Sequence, residues 1–275
     1  VTDSPAPTAH PRMGTLPSAF RAHPDMPSVL VATSAFGHRM IAEQGQAAML
    51  PCLSDAGADG VEIRRELLPE DFDDFDALGR ACNEHGLTVV YSAADELWSG
   101  DMLSPSLPAR LDEAAALGAV AIKLSLGRYT GTTTDTWQRL SALIADSPVA
   151  WVMVENDQTR DGGIVAPLLA CLEDAAGAGC PLHMTFDIGN WHWTGDDPVL
   201  AADRLGRFVA YVHCKGIVFE QGRPHASVPD LAEMQAWQQL MSHFPRGVPR
   251  AIEYPLQAPE LTGFVREQLE RLRAL

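Results

Sequence analysis

The chain has 275 residues, 46% hydrophobic and 20% charged, a composition outside the ranges of disordered, collagen-like and membrane chains and long enough for one large domain with a substantial core. Its 36 acidic residues against 20 Lys and Arg give a formal charge of -16, which repels a phosphate backbone, so no nucleic-acid partner is expected. Five scattered cysteines (Cys52, Cys82, Cys171, Cys180 and Cys214) show no CxxC spacing, which argues against a disulfide framework or a cysteine zinc site and for a reducing cytoplasm.

Residues 1–27 hold six prolines and almost no apolar periodicity, and are expected to form a flexible extension to which no function is assigned. That stretch lacks the apolar centre of a signal peptide, and no apolar run approaches the roughly 18 residues that cross a bilayer. Neither secretion nor a membrane partner is expected. Residues 28–275 are expected to form a single domain, because short runs rich in β-branched residues alternate with longer amphipathic stretches, as βα units require.

Eight strands are predicted, at Val29–Thr33, Gly60–Arg64, Thr88–Ser92, Ala119–Ser125, Val149–Glu155, His183–Asp187, Val209–Lys215 and Arg250–Glu253. Their starts lie about 25 to 40 residues apart, and eight such units fill the roughly 250 residues of a (β/α)8 TIM barrel. A doubly wound sheet, the competing α/β architecture, would carry a glycine-rich phosphate loop after its first strand, where SAFGHR (34–39) has one glycine. Helices are predicted over Ile41–Ala56, Pro69–Glu84, Pro108–Ala116 and Leu261–Leu275, with Gly57, Gly118 and Gly179 closing helices before strands.

An active site on this fold belongs at the C-terminal ends of the strands. Polar residues collect there: Glu62 and Arg64 on strand two, Lys123 and Ser125 on strand four, Glu155 on strand five, Asp187 on strand six, His213 and Lys215 on strand seven, and Glu253 on strand eight. Charges turned into a barrel mouth are costly to desolvate without a compensating charge. Glu155, Asp187, His213 and Glu253 close the runs WVMVE, MTFD, AYVH and RAIE on four consecutive strands. Three carboxylates and an imidazole suit one divalent metal, Mn²⁺ or Mg²⁺ first and Co²⁺ or Zn²⁺ next. Taken singly, each acid reads as a solvated strand end or a helix cap; the conjunction carries the expectation.

The segments VEND (154–157), FDIGN (186–190), VHCKG (212–216) and IEYP (252–255), in this order on successive strands, resemble the xylose isomerase-like TIM barrels of the sugar phosphate isomerase/epimerase superfamily. The resemblance implies an ion held by Glu155, Asp187, His213 and Glu253, with the two glutamates also moving the proton. Where ketose epimerases of that superfamily carry a substrate-binding histidine three residues after the strand-six aspartate, this chain has Asn190, with His192 two places later; both are substrate-binding candidates. The spacing of His213 and Lys215 is instead similar to that of the superfamily's dehydratases for inosose or dehydroshikimate, in which the lysine contacts a substrate oxygen. Endonuclease IV-type repair enzymes share the fold in this resemblance, but need a histidine-rich three-metal cluster and a basic surface, neither of which this chain shows.

These residues predict a metal-dependent isomerase or epimerase of a small sugar or keto sugar acid, transferring a proton beside a carbonyl through a metal-stabilised enediolate. The alternatives are a dehydratase of an inosose- or dehydroshikimate-like substrate and a non-catalytic, metal-containing sugar-acid binding protein. Arg64, Lys123 and Lys215 are candidates to hold substrate oxygens; the competing readings are salt bridges from Arg64 to Glu62 or Glu96, and from Lys215 to Glu253 or Asp187. Trp98, Trp191 and Trp193 are read as loop residues that either stack on a sugar or pack at the barrel cap or a subunit contact. Asn156 and Gln158 are candidates to orient the metal-holding carboxylates. Whether the chain forms a homo-oligomer is left open.

Overall fold

The computed structural model describes Phe20 and residues 26–275; the rest of the predicted N-terminal extension lies outside the described residues. Eight parallel strands follow one another around a closed barrel: β1 (Val29–Ala32), β2 (Gly60–Arg64), β3 (Thr88–Gly100), β4 (Ala121–Tyr129), β5 (Trp151–Glu155), β6 (Leu182–Asp187), β7 (Val209–Cys214) and β8 (Arg250–Ile252). Each pairs with the next, and β8 pairs with β1 to close the ring. The predicted (β/α)8 barrel is therefore the observed architecture.

Alternation along these strands divides the side chains between two layers. Val29, Val31, Val61, Ile63, Ile122, Leu124, Val152, Val154, Val212 and Ile252 belong to the large apolar cluster beneath the helices. Their sequence neighbours Leu30, Val90, Ala121, Met153, Tyr211 and Ala251 form a separate cluster inside the barrel. Phe20 joins this inner cluster, stacked on Trp151 at 5.7 Å, and its carbonyl accepts a hydrogen bond from Ser28 Oγ at 2.7 Å. Since Trp151 begins β5, Phe20 lies at the N-terminal end of the barrel, opposite the mouth. The same alternation turns Glu62, Lys123, Glu155, Asp187 and His213 inward.

The connecting helices are α1 (His38–Gln44), α2 (Leu50–Ala56), α3 (Phe75–Glu84), α4 (Leu107–Ala116), α5 (Thr134–Asp146), α6 (Val165–Gly177), α7 (Trp191–Thr194), α8 (Pro198–Leu205), α9 (Leu231–Met241) and α10 (Leu261–Arg273). The single helix expected over Ile41–Ala56 is broken at Gly45 (φ +78°). The break turns Gln46 inward, where Oε1 accepts from the Arg64 amide at 2.9 Å and Nε2 donates to the Arg64 carbonyl at 2.8 Å. The helix expected from Pro69 starts only at Phe75, because Pro69–Phe72 closes a turn that sets the Phe72 ring edge-on against Phe75.

Strands β3 and β4 run beyond the barrel as a paired extension whose register shifts between Ser92 and Glu96. Trp98, expected in a loop, is buried in this extension against Tyr129 and Trp137. After β7 the chain forms a hairpin, Gly216–Glu220 with Arg223–Ser227. Its turn residues Gln221 (φ +50°) and Gly222 (φ +77°) both have positive φ, as a tight two-residue hairpin turn requires. Among the described residues no helix is long and apolar enough to cross a membrane.

His183, near the start of β6, packs against Trp151 at 5.3 Å, and burial lowers its imidazole pKa to about 4. Below pH ~6.5 the unfolded chain takes up a proton that folded His183 refuses, so this site's effect lowers stability as pH falls from ~6.5 to 4, by about 3 kcal/mol. We predict that urea midpoints of wild type fall over this window and that His183→Leu removes about that much of the pH dependence. Parallel pH profiles for the two proteins would contradict the assignment.

Candidate metal centre at the barrel mouth

The register of the closing strands gathers the four residues expected to hold an ion. Asp187 lies opposite His213, and His213 opposite Ala251, two residues before Glu253. His213 Nδ1 stands 2.8 Å from Glu155 Oε1, 3.2 Å from Glu253 Oε2 and 3.8 Å from Asp187 Oδ2. One donor atom from each of the four lies within 4.8 Å of the others. Asp187 and His213 are fully buried, and Glu155 and Glu253 nearly so.

Fixed cations surround this group. Lys123 Nζ donates to Glu155 Oε2. Lys215 Nζ donates to Glu253 Oε2 at 2.8 Å and stands 2.7 Å from Asp187 Oδ2. Arg64 Nη1 donates to Glu253 Oε1 at 2.5 Å and to Glu62 Oε1 at 3.1 Å, while Arg64 Nε donates to Glu66 at 2.7 Å. The ion-pair readings of Lys215 and Arg64 are thus present in the structure, with Glu253 and Glu66 rather than Glu96 as the additional partners of Arg64.

Burial alone pushes every carboxyl here toward neutrality. For Glu155 it is outweighed by Lys123 and His213, and for Glu253 by Lys215, His213 and Arg64, so both are held below the usual carboxylate range. For Asp187 burial wins over Lys215 and the pKa rises. Burial disfavours a charged His213, but Glu62, Glu253 and Glu155 raise its pKa well above that of a free imidazole.

Three of the converging atoms, Glu155 Oε1, Asp187 Oδ2 and His213 Nδ1, are buried without a well-aligned hydrogen bond: Oδ2 has the Lys215 ion pair at 2.7 Å, and Oε1 and Nδ1 face each other at 2.8 Å. Buried carboxylate oxygens and an imidazole nitrogen converging on one point are what a cation satisfies, and this donor set fits a hard to borderline divalent ion. No thiolate competes: Cys214 belongs to the outer apolar cluster, and burial pushes its thiol up to about 12.

The loop after β6 fixes Asp187. Its Oδ1 accepts from the amides of Gly189 at 2.8 Å and Asn190 at 2.9 Å, leaving Oδ2 toward the cluster. Asn156, expected to bond a carboxylate, instead exchanges two hydrogen bonds with the Asp187 backbone. Asn190 Nδ2 donates to the Asn156 carbonyl and its Oδ1 accepts from Gln158, so this residue ties the β5 and β6 loops together. His192 lies exposed, edge-on to Phe219 of the hairpin at 6.0 Å. Trp191 is core, packed on Phe186; Trp193 lies at the rim, its ring 5.9 Å from Lys215 Nζ.

One contact of the cluster was not expected from sequence. Glu62, read there as a strand-end acid facing the same way as Arg64 and as a possible ion-pair partner of it, is fully buried and its Oε2 lies 2.6 Å from His213 Nε2. The signal was a lone carboxylate inside the apolar strand GVEIR.

No protein-family model and no curated protein matches the sequence. Solved structures show the fold. A xylose isomerase-like TIM barrel/4-hydroxyphenylpyruvate dioxygenase fusion protein superposes with a TM-score of 0.66 at 13% identity, over 90% of this chain and 42% of that one. A D-allulose 3-epimerase from Methylomonas sp., solved with D-allulose, gives 0.60 at 17% identity over 91% and 98% of the two chains. An AP endonuclease, family 2, from Brucella melitensis gives 0.60 at 17% over 86% and 96%. The chain has the xylose isomerase-like TIM-barrel fold.

If the four residues hold an ion, Mn²⁺ at about 100 times its Kd stabilises the protein by about 2.7 kcal/mol, seen as a raised melting temperature. Asp187→Asn is expected to lose most of that shift at the same Mn²⁺ concentration; an unchanged melting temperature in wild type would contradict the site.

Proposed function

We propose that the chain is a divalent-metal-dependent isomerase or epimerase of a small sugar or keto sugar acid. Glu155, Asp187, His213 and Glu253 hold the ion, Mn²⁺ or Mg²⁺ by the predominance of oxygen donors, with Co²⁺ or Zn²⁺ next. The observation that carries this reading is the convergence of four buried or nearly buried ligand atoms within 4.8 Å of one another, beside two glutamates that neighbouring cations keep ionised. The D-allulose 3-epimerase on the same fold supports the carbohydrate class.

When bound, the ion supplies positive charge beside a substrate carbonyl, where negative charge gathers as the adjacent carbon loses its proton. Glu155 anchors Oε2 on Lys123 and turns Oε1 inward, so it can take a proton without leaving its place. Glu253, held by Arg64 on one oxygen and Lys215 on the other, is the partner carboxylate. Removal by one glutamate and return from the opposite face by the other inverts a carbon centre; return to the neighbouring carbon isomerises the substrate. Lys123, Lys215 and Arg64 are the donors placed to hold substrate oxygens, and Arg64 suits a carboxylate.

Lys215 favours a second reading, a dehydratase. Its ammonium stands at the mouth between Asp187 and Glu253 and near Trp193, a position from which it can contact a substrate oxygen. His192, exposed beside the hairpin, is the candidate for rim contact with substrate, while Asn190, bonded through both amide atoms, is the candidate to hold the β5 and β6 loops in place. A net charge of -16 opposes a DNA substrate despite the endonuclease on the same fold. Five unpaired cysteines fit a reducing cytoplasm.

The test is incubation of the Mn²⁺-loaded protein with ketoses, keto sugar acids and inososes in D₂O. Deuterium uptake beside the carbonyl is expected, and Glu253→Gln is expected to slow it by about 10²-fold or more. Release of water marks the dehydratase. Ligand binding with no exchange by wild type would leave a non-catalytic sugar-acid binder and overturn the enzyme reading.

A further inference from the structure

Glu62 holds no place among the four ion-holding residues, yet it is a fully buried carboxylate on β2, on the far side of β1 and β8 from His213. Its cross-strand partners are Ala32 and Val90, so neither flanking strand compensates the charge at that position. A carboxylate so placed is retained only where specific partners repay its desolvation. Both of its partners lead to the metal centre.

Oε2 lies 2.6 Å from His213 Nε2. With the imidazole neutral, as a metal ligand must be, a carboxylate at that distance takes the proton on Nε2. The lone pair is then left on Nδ1, the atom that faces Glu155, Glu253 and Asp187. Oε1 accepts from Arg64 Nη1, and the same Nη1 donates to Glu253 Oε1, which leaves Glu253 Oε2 toward the centre. The buried ring of Tyr211, 5.2 Å from the imidazole and steeply inclined to it at 75°, restricts the ring's rotation.

We infer that Glu62 is a positioning residue that orients two of the four ion-holding side chains, His213 directly and Glu253 through Arg64. The inference rests on the metal-dependent reading given above. Glu62 touches neither ion nor substrate; it sets which imidazole nitrogen and which Glu253 oxygen are presented.

Two measurements test it. Glu62→Gln removes the charge at nearly constant shape, and its Mn²⁺ affinity by titration calorimetry is expected to fall about 10- to 100-fold, measured well below the melting temperature of the ion-free variant. A role in folding alone would lower that melting temperature and leave the affinity within about twofold of wild type, and that result overturns the inference. The second measurement uses wild type, so it decides even where the variant does not fold. In ¹⁵N-histidine protein loaded with diamagnetic Zn²⁺, the ring that responds to the ion is expected to keep its proton on Nε2 and shift at Nδ1; a proton on Nδ1 with the ion on Nε2 overturns the inference. Absence of Mn²⁺ binding by wild type removes the metal reading itself, whereas wild-type binding with an unaffected variant removes only the role of Glu62.

Discussion

Four carboxylates, those of Glu62, Glu155, Asp187 and Glu253, share a water-poor volume at the C-terminal end of the barrel, and the cost of keeping them charged there is the constraint on which the upper half of the fold depends. Three cations from three different strands or strand ends, Arg64, Lys123 and Lys215, answer it. Four negative groups against three positive ones leave a net negative charge at the centre while the imidazole is neutral. A proton on His213 cancels it and a divalent ion more than offsets it; the two compete for the same nitrogen. The raised pKa of His213 and the crowding of carboxylate oxygens around its Nδ1 are two expressions of one excess of negative charge.

The surrounding backbone is shaped to keep that arrangement rigid. Gly189 is required where it stands, since a Cβ there would fall 2.6 Å from Lys215 Cγ; its absence lets the lysine stem cross the β6 loop and bring Nζ to Asp187. The mutual hydrogen bonds of Asn156 and the Asp187 backbone fix the ends of β5 and β6 relative to each other. Gln46, reached by breaking the first helix, does the same for β2 through both polar backbone groups of Arg64. Side chains carrying the charge are thus held by neighbours whose only contribution is geometry.

The barrel and the four converging residues were legible in the sequence because both rest on short-range periodicity: a strand every 25 to 40 residues or so, an inward side at every second position, and an acid or histidine ending four apolar runs in succession. What escaped depends on contacts that period does not encode. The partner of Glu62 is 151 positions away and becomes visible only when the ring closes. Trp98 reads as a loop residue until β3 and β4 are seen to continue past the barrel, with Gly127 (φ +71°) so close that a Cβ would lie 2.3 Å from the Trp98 carbonyl. Asn156 and Asn190 sit next to the carboxylates in sequence, but the loops fold so that their amides satisfy backbone groups instead.

Anomalous diffraction from a crystal grown or soaked with Mn²⁺ would reveal a divalent ion at the meeting point of β5 to β8. A single strong peak is expected about 2.0 to 2.4 Å from one oxygen each of Glu155, Asp187 and Glu253 and from Nδ1 of His213, with the Lys215 ammonium moved off Asp187 and Glu253. A peak elsewhere, or none while Lys215 still bridges those two carboxylates, would contradict the metal-dependent reading.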